Sequence, residues 1–136
     1  LRTLLADMAA TRDALTADGD ANLVAIGVAL GRGIGALSEA GDWLLAHYDS
    51  QPAAAAAGAV PFLKLTGVVA GGWMMARAAQ VAKQLLAAGD ADTVFLNAKL
   101  VTARYYADHV LPEAALCAAG VTQGAGSVLA LDEEGF

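Results

Sequence analysis

Apolar residues recur along this chain in steps of three and four, and the pattern predicts one helix after another with no strand-like alternation. In the first segment, Leu1 to Asp18, residues Leu1, Leu4, Leu5, Met8 and Leu15 share one side while Arg2, Asp7, Arg12 and Asp13 lie mostly elsewhere. Gly19 ends that helix, and Asp20 or Asn22 can cap the next by accepting backbone N–H bonds. The second helix is expected from Ala21 to Asp49, with Leu23, Ile26, Leu30, Ile34, Leu37, Gly41, Leu44 and Tyr48 turned inward. That spacing is the seam of helices packed at a shallow left-handed angle, and the rod should span roughly 40 Å.

Ser50, Gln51 and Pro52 break the second helix, and the run Ala53 to Ala57 before Gly58 predicts a short connecting helix. A third helix should open at Pro61, whose missing N–H has no intrahelical partner in a first turn, and run to about Ala88. Its inward row is Leu65, Val68, Gly72, Met75, Ala79, Ala82 and Leu86, widened by Val69, Trp73, Met74 and Val81. Gly89 with Asp90, Ala91 and Asp92 gives a stop and a fresh cap within a short loop, so the next helix must return antiparallel.

The fourth helix, from about Ala91, carries Val94, Phe95, Leu96, Leu100, Val101, Tyr105, Tyr106, Val110 and Leu111, which cover more than one face. Such a helix wants two partners. Pro112 is expected to bend it rather than end it, because the alanine-rich helical text continues beyond. Gly120, Gly124 and Gly126 weaken the pattern further on, and the tail LALDEEGF should be ordered only where something docks on it. The pattern therefore specifies an all-α antiparallel four-helix bundle with a short connecting helix and a kinked last helix, a single domain over residues 1–136. Leu1 stands in the middle of a helical pattern with no initiator Met, which predicts a piece of something longer.

Composition adjusts this picture in few places. The hydrophobic share of 57% looks high until alanine, about a quarter of the chain, is recognised as the best helix former. The most apolar stretch, Leu65 to Ala76, lies between Lys64 and Arg77 and falls short of the roughly twenty residues a spanning helix needs, so no membrane partner is expected. With Lys+Arg 8 against Asp+Glu 14 and a net charge of −6, the chain has no basic face for nucleic acid. A single Cys117 permits no internal disulfide, and the expected setting is cytoplasmic.

Candidate chemistry is sparse. Gly27, Gly31 and Gly35 lie four residues apart, and Gly67 with Gly71 repeats the spacing, which predicts a smooth strip packing the second helix on the third. The run Gly31-Arg32-Gly33-Ile34-Gly35 sits inside a helical pattern, the wrong context for a phosphate loop. Neither His47 nor His109 has the Glu three residues before it that a di-iron bundle requires, so no metal site is expected. His109 is read as a hydrogen-bonded core or interface residue, Cys117 as a small buried apolar group, and Trp73-Met74-Met75 as core. Lys64, Arg77, Lys99 and Arg104 interrupt apolar surroundings, where they reach the surface or pair with Glu39, Asp42 or Asp108, or where Arg77 or Arg104 meets a carboxylate across an interface. The candidate interface residues are Trp73, Arg77, Phe95, Arg104, Tyr105 and Tyr106.

From about Val60 to Leu131 the blocks AGGWMMARAA and AKLVTARYYADHVLP, followed by the V-T-x-G-A segment, resemble the extra C-terminal helical domain of the larger bacterial acyl-CoA dehydrogenases. The first fifty residues agree with it in helix pattern more than in identifiable blocks. The resemblance implies a parent flavoenzyme in which a carboxylate takes the α proton of a CoA thioester, FAD accepts hydride from the β carbon, and the electrons pass to an external acceptor. It places that equipment in the preceding domains, so no position here inherits a catalytic or cofactor-binding role and this chain alone should be inert. Its expected partners are the catalytic domains, a second copy in a homo-oligomer, and acyl-CoA through the parent. Two rivals remain: a stand-alone helical interaction module, and a small-ligand carrier whose cavity Met8, Trp73, Met74 and Tyr105 would line.

Overall fold

The computed structural model describes residues 1–89, 92–131 and 135, and among these every regular element is helical. Helix α1 (Arg2–Thr16) and helix α2 (Ala21–His47) are joined at Asp20, whose carboxylate accepts from the Asn22 N–H at 2.8 Å and so satisfies one of the free donors of the α2 N-terminus. The short α3 (Pro52–Ala57) leads into α4 (Ala59–Ala87), which starts two residues before Pro61 and keeps that proline in its first turn. Gly89 follows with φ 82°, a conformation a side chain would resist. Helix α5 (Thr93–His109) is capped by Asp92, which accepts from the Phe95 N–H at 3.1 Å. The expected start at Ala91, the Asp90 cap and most of the acidic tail lie outside the described residues.

The last expected helix is two helices. Its continuation is α6 (Glu113–Gln123), and a four-residue α7 (Ala125–Val128) closes the chain. Pro112 ends α5 rather than bending it, because it supplies no N–H and its ring crowds the carbonyl of the preceding turn. The backbone first widens, with the Leu111 N–H donating to the Tyr106 carbonyl at 3.0 Å, and then tightens as Glu113 donates to Val110 and Ala114 to Leu111, each at 3.0 Å. That distortion swings Leu111 into the bundle, where it is 3% exposed.

Helices α2 and α4 lie at the centre. Helix α1 packs on α2 and touches α4, while α5 and α6 together cover the other side of the central pair, and α3 and α7 meet at one end. The core is wholly apolar: Met8, Leu30, Leu37, Leu65, Val69 and Val121 have no exposed surface, and no polar or charged residue is buried among the described residues. One inward assignment fails: Tyr48 is 70% exposed past the last turn of α2. Leu44, Met75 and Leu86 are half-buried, and on α4 the fully buried position beside Met75 is Ala76.

Helix length corrects a further expectation. The 27-residue α2 and the 29-residue α4 are both long and apolar enough, by length and composition, to cross a bilayer. The twelve residues between Lys64 and Arg77 understate the apolar length of α4, because helices this long tolerate a charge at the edge of the apolar window. In this bundle they bury their inner faces on each other, yet only 39% of the apolar window of α2 and 28% of that of α4 is buried. On α4 the exposed large apolar side chains are Val60, Leu63, Met74, Val81 and Leu85; on α2 they are only Val28 and Leu45.

Candidate functional site

Helix α4 presents apolar residues on two sides. Its inner row, Leu65, Val68, Gly72, Ala76, Ala79 and Ala82, is buried in the core. A second row of Met74, Ala78, Val81 and Leu85 borders an open groove of about 460 Å³, whose far wall is Phe95, Leu96 and Lys99 of α5. Farther along α5, Val101 is 70% and Tyr105 61% exposed. The expected surplus of apolar surface is therefore real, and nothing among the described residues covers it.

The six candidate interface residues divide. Phe95, Tyr105 and Arg77 are exposed, with the Arg77 guanidinium 5.3 Å from the Trp73 ring centre and the Lys99 ammonium 4.8 Å from that of Phe95. Trp73, Arg104 and Tyr106 instead tie the bundle together. The Trp73 indole N–H donates to Thr11 Oγ1 at 2.8 Å, joining α4 to α1. The Tyr106 hydroxyl donates to the Val68 carbonyl at 3.0 Å, joining α5 to α4. Arg104 pairs with Asp108 at 2.8 Å and reaches the Asn22 side chain at 3.1 Å, so its carboxylate is found within the bundle.

The five candidate packing glycines do not form the expected seam between α2 and α4. A Cβ on Gly27 would lie 2.9 Å from Leu15 Cβ, and one on Gly31 would lie 3.0 Å from Arg12 Cδ, so both face α1. Gly71 makes room for Tyr106 of α5, while Gly35 and Gly67 have nothing within 4 Å. Sequence reasoning missed Gly33 and Gly72, which flank Leu111: Cβ atoms there would lie 3.2 and 2.6 Å from Leu111 Cδ2. Gly72 belongs to the inward row of the third predicted helix, but neither glycine falls in the i, i+4 series.

The titratable groups make structural contacts. Lys83 of α4 pairs with Asp18, holding that carboxyl below its ordinary range, helped by the Asp20 N–H that donates to it at 2.8 Å. Glu113 hydrogen-bonds Lys64 at 2.9 Å and raises the lysine. Burial raises the Tyr106 phenol, with a smaller contribution from Glu113. His47 lies on Trp43, ring centres 4.2 Å apart, with Nδ1 2.8 Å from the Trp43 carbonyl. His109 is exposed beside Tyr105 rather than on the inner face, and Cys117 is buried. A second groove of about 330 Å³ runs between α2 and α5 past Asn22, Leu100, Arg104 and Tyr105.

The carrier-type cavity is not what the structure shows, because Met8 is fully buried while Met74 and Tyr105 are exposed. Every buried side-chain nitrogen or oxygen among the described residues already has a partner. No group of three or more His, Cys, Asp or Glu among the described residues is arranged for a metal ion. What the arrangement offers is an exposed apolar surface on α4 and α5.

Comparison with known proteins gives this surface a context. Residues 4–132 match the family described as acetyl-CoA dehydrogenase C-terminal like. Over 88 residues the chain is 42% identical to 3-methylmercaptopropionyl-CoA dehydrogenase of Ruegeria pomeroyi, an alignment covering 65% of this chain and 15% of the relative. The match thus spans only a small part of that relative's length.

Proposed function

Because the chain belongs to the acetyl-CoA dehydrogenase C-terminal-like family, we propose that it is the non-catalytic C-terminal domain of an FAD-dependent acyl-CoA dehydrogenase. In this reading it packs on the catalytic domains or on a second subunit in the cytoplasm. The observation that carries the reading is the uncovered outer face of α4 and α5, where Val81 is 52%, Phe95 53% and Val101 70% exposed. Domains that live alone hide side chains of this kind, whereas permanent interfaces are built from them. FAD, bound in the rest of the parent, would accept the hydride when an acyl-CoA thioester is desaturated between its α and β carbons.

The family and the relative's name support an acyl-CoA thioester as the parent's substrate class. Purifying the parent protein and recording its absorption tests this. A flavin spectrum bleached by an acyl-CoA is the expected result. A colourless protein that leaves acyl-CoA unchanged would instead favour a stand-alone helical interaction module.

A further inference from the structure

The groove between α4 and α5 is distinguished by its borders. Met74, Ala78, Val81 and Leu85 follow one another at helical spacing, and Phe95 and Leu96 face them. From Met74 to Leu85 the row extends about 16 Å, which matches about three turns of another helix lying between the two. Arg77 stands on the α4 border and Lys99 on the α5 border, and among the described residues no acidic side chain lines the groove. Neither cation has a carboxylate partner among the described residues; Arg2 and Arg32 likewise form no ion pair there, so what sets Arg77 and Lys99 apart is that they face one apolar groove together. In a chain of net charge −6 this is a local exception.

We propose that this groove seats an amphipathic helix from the catalytic part of the parent acyl-CoA dehydrogenase. That helix carries leucine-like residues along one face and a Glu or Asp on each flank, where the two cations receive them. The proposal rests on the accessory-domain reading above and specifies which face docks and what it takes. Charge complementarity selects the occupant. A second copy seated by two-fold symmetry would bring two Arg77 and two Lys99 side chains into one interface with no anion among the lining residues, which opposes association.

The test uses the 136-residue chain and a labelled synthetic helix of about three turns, made with a leucine seam and Glu borders, beside a twin with Lys borders. By fluorescence anisotropy the Glu-bordered peptide should bind at least about tenfold more tightly than its twin, and the double variant Arg77→Glu/Lys99→Glu should reverse that order. Both positions are on the surface, and a circular dichroism melt checks that the fold persists. Equal binding of both peptides, no binding of either, or an order unchanged by charge reversal overturns the proposal. So does a wild-type dimer in sedimentation that Val81→Glu converts to monomer, or binding to phosphatidylglycerol vesicles without binding to the acidic peptide. The flavin spectrum of the parent separates the two levels. A flavoenzyme with failed peptide discrimination retains the domain assignment and loses this groove, whereas a parent without flavin removes the partner named here.

Discussion

The phenol end of Tyr106 fills the space that a side chain on Gly71 would need, and its hydroxyl donates to the Val68 carbonyl at 3.0 Å. A glycine on α4 and a tyrosine on α5 thus set how closely the two helices approach. Gly71→Ala should cost about 1–3 kcal/mol through overlap with the ring. Tyr106→Ala should relieve that overlap, so a double-mutant cycle by urea unfolding is expected to show about 1 kcal/mol of coupling. Additive effects would mean the contact does not set the spacing.

Leu111 makes a parallel prediction at the break between α5 and α6. It is 3% exposed and wedged between Gly33 and Gly72, so Leu111→Ala should cost about 2–5 kcal/mol by opening a cavity between the central helices. Gly72→Ala should be damaging in the wild-type chain and tolerated once Leu111 is alanine. Thermal melts of the three variants check both statements.

The glycines with evenly spaced positions should respond in opposite directions. Gly35 and Gly67 have open space where a Cβ would go, and alanine there should stabilise the chain by about 0.5–1 kcal/mol through helix propensity alone. Gly27→Ala would meet Leu15 and Thr16 of α1 and should lower the melting temperature. Equal effects at Gly27 and Gly35 would contradict the observed placement of α1.

The Lys83 contact gives a pH dependence of definite sign. Asp18 titrates below its unfolded value because Lys83 favours the charged form, so its contribution is present above about pH 4 and lost as pH falls through the lower folded value. The melting-temperature gap between wild type and Lys83→Met should therefore be widest near neutrality and close in acid. Lys64 and Tyr106, both raised, act at the other end: their contributions are complete below about pH 10 and fade as pH rises further.

Much of the fold was legible because the signals are local. Asp20 and Asp92 cap because a short carboxylate reaches the backbone N–H groups two or three residues ahead. Gly89 turns the chain because it lacks a Cβ. The surplus of apolar residues on the third and fourth predicted helices was likewise visible, since periodicity alone reveals when more than one face is greasy. The candidate surface was legible only in part. Phe95, Tyr105 and Arg77 do lie outside, but nothing in the sequence distinguishes them from Trp73, Arg104 and Tyr106, whose polar atoms find Thr11, Asn22 and Val68 far along the chain.

The helices, most of their ends, the apolar core rows of α2 and α4, and the family kinship follow from the order of the amino acids. Each of these depends on residues within a turn or two of one another, or on the order of residues alone. Tertiary structure decided how each helix is rotated against its neighbours. That rotation placed Gly27 against α1, gave the gap beside Gly71 to Tyr106, split the last helix at Pro112 so that Leu111 could enter the core, and left Arg77 and Lys99 on either side of an open groove. A helix can turn about its axis at little local cost, so only the sum of all its contacts fixes the angle, and no stretch of sequence contains that sum.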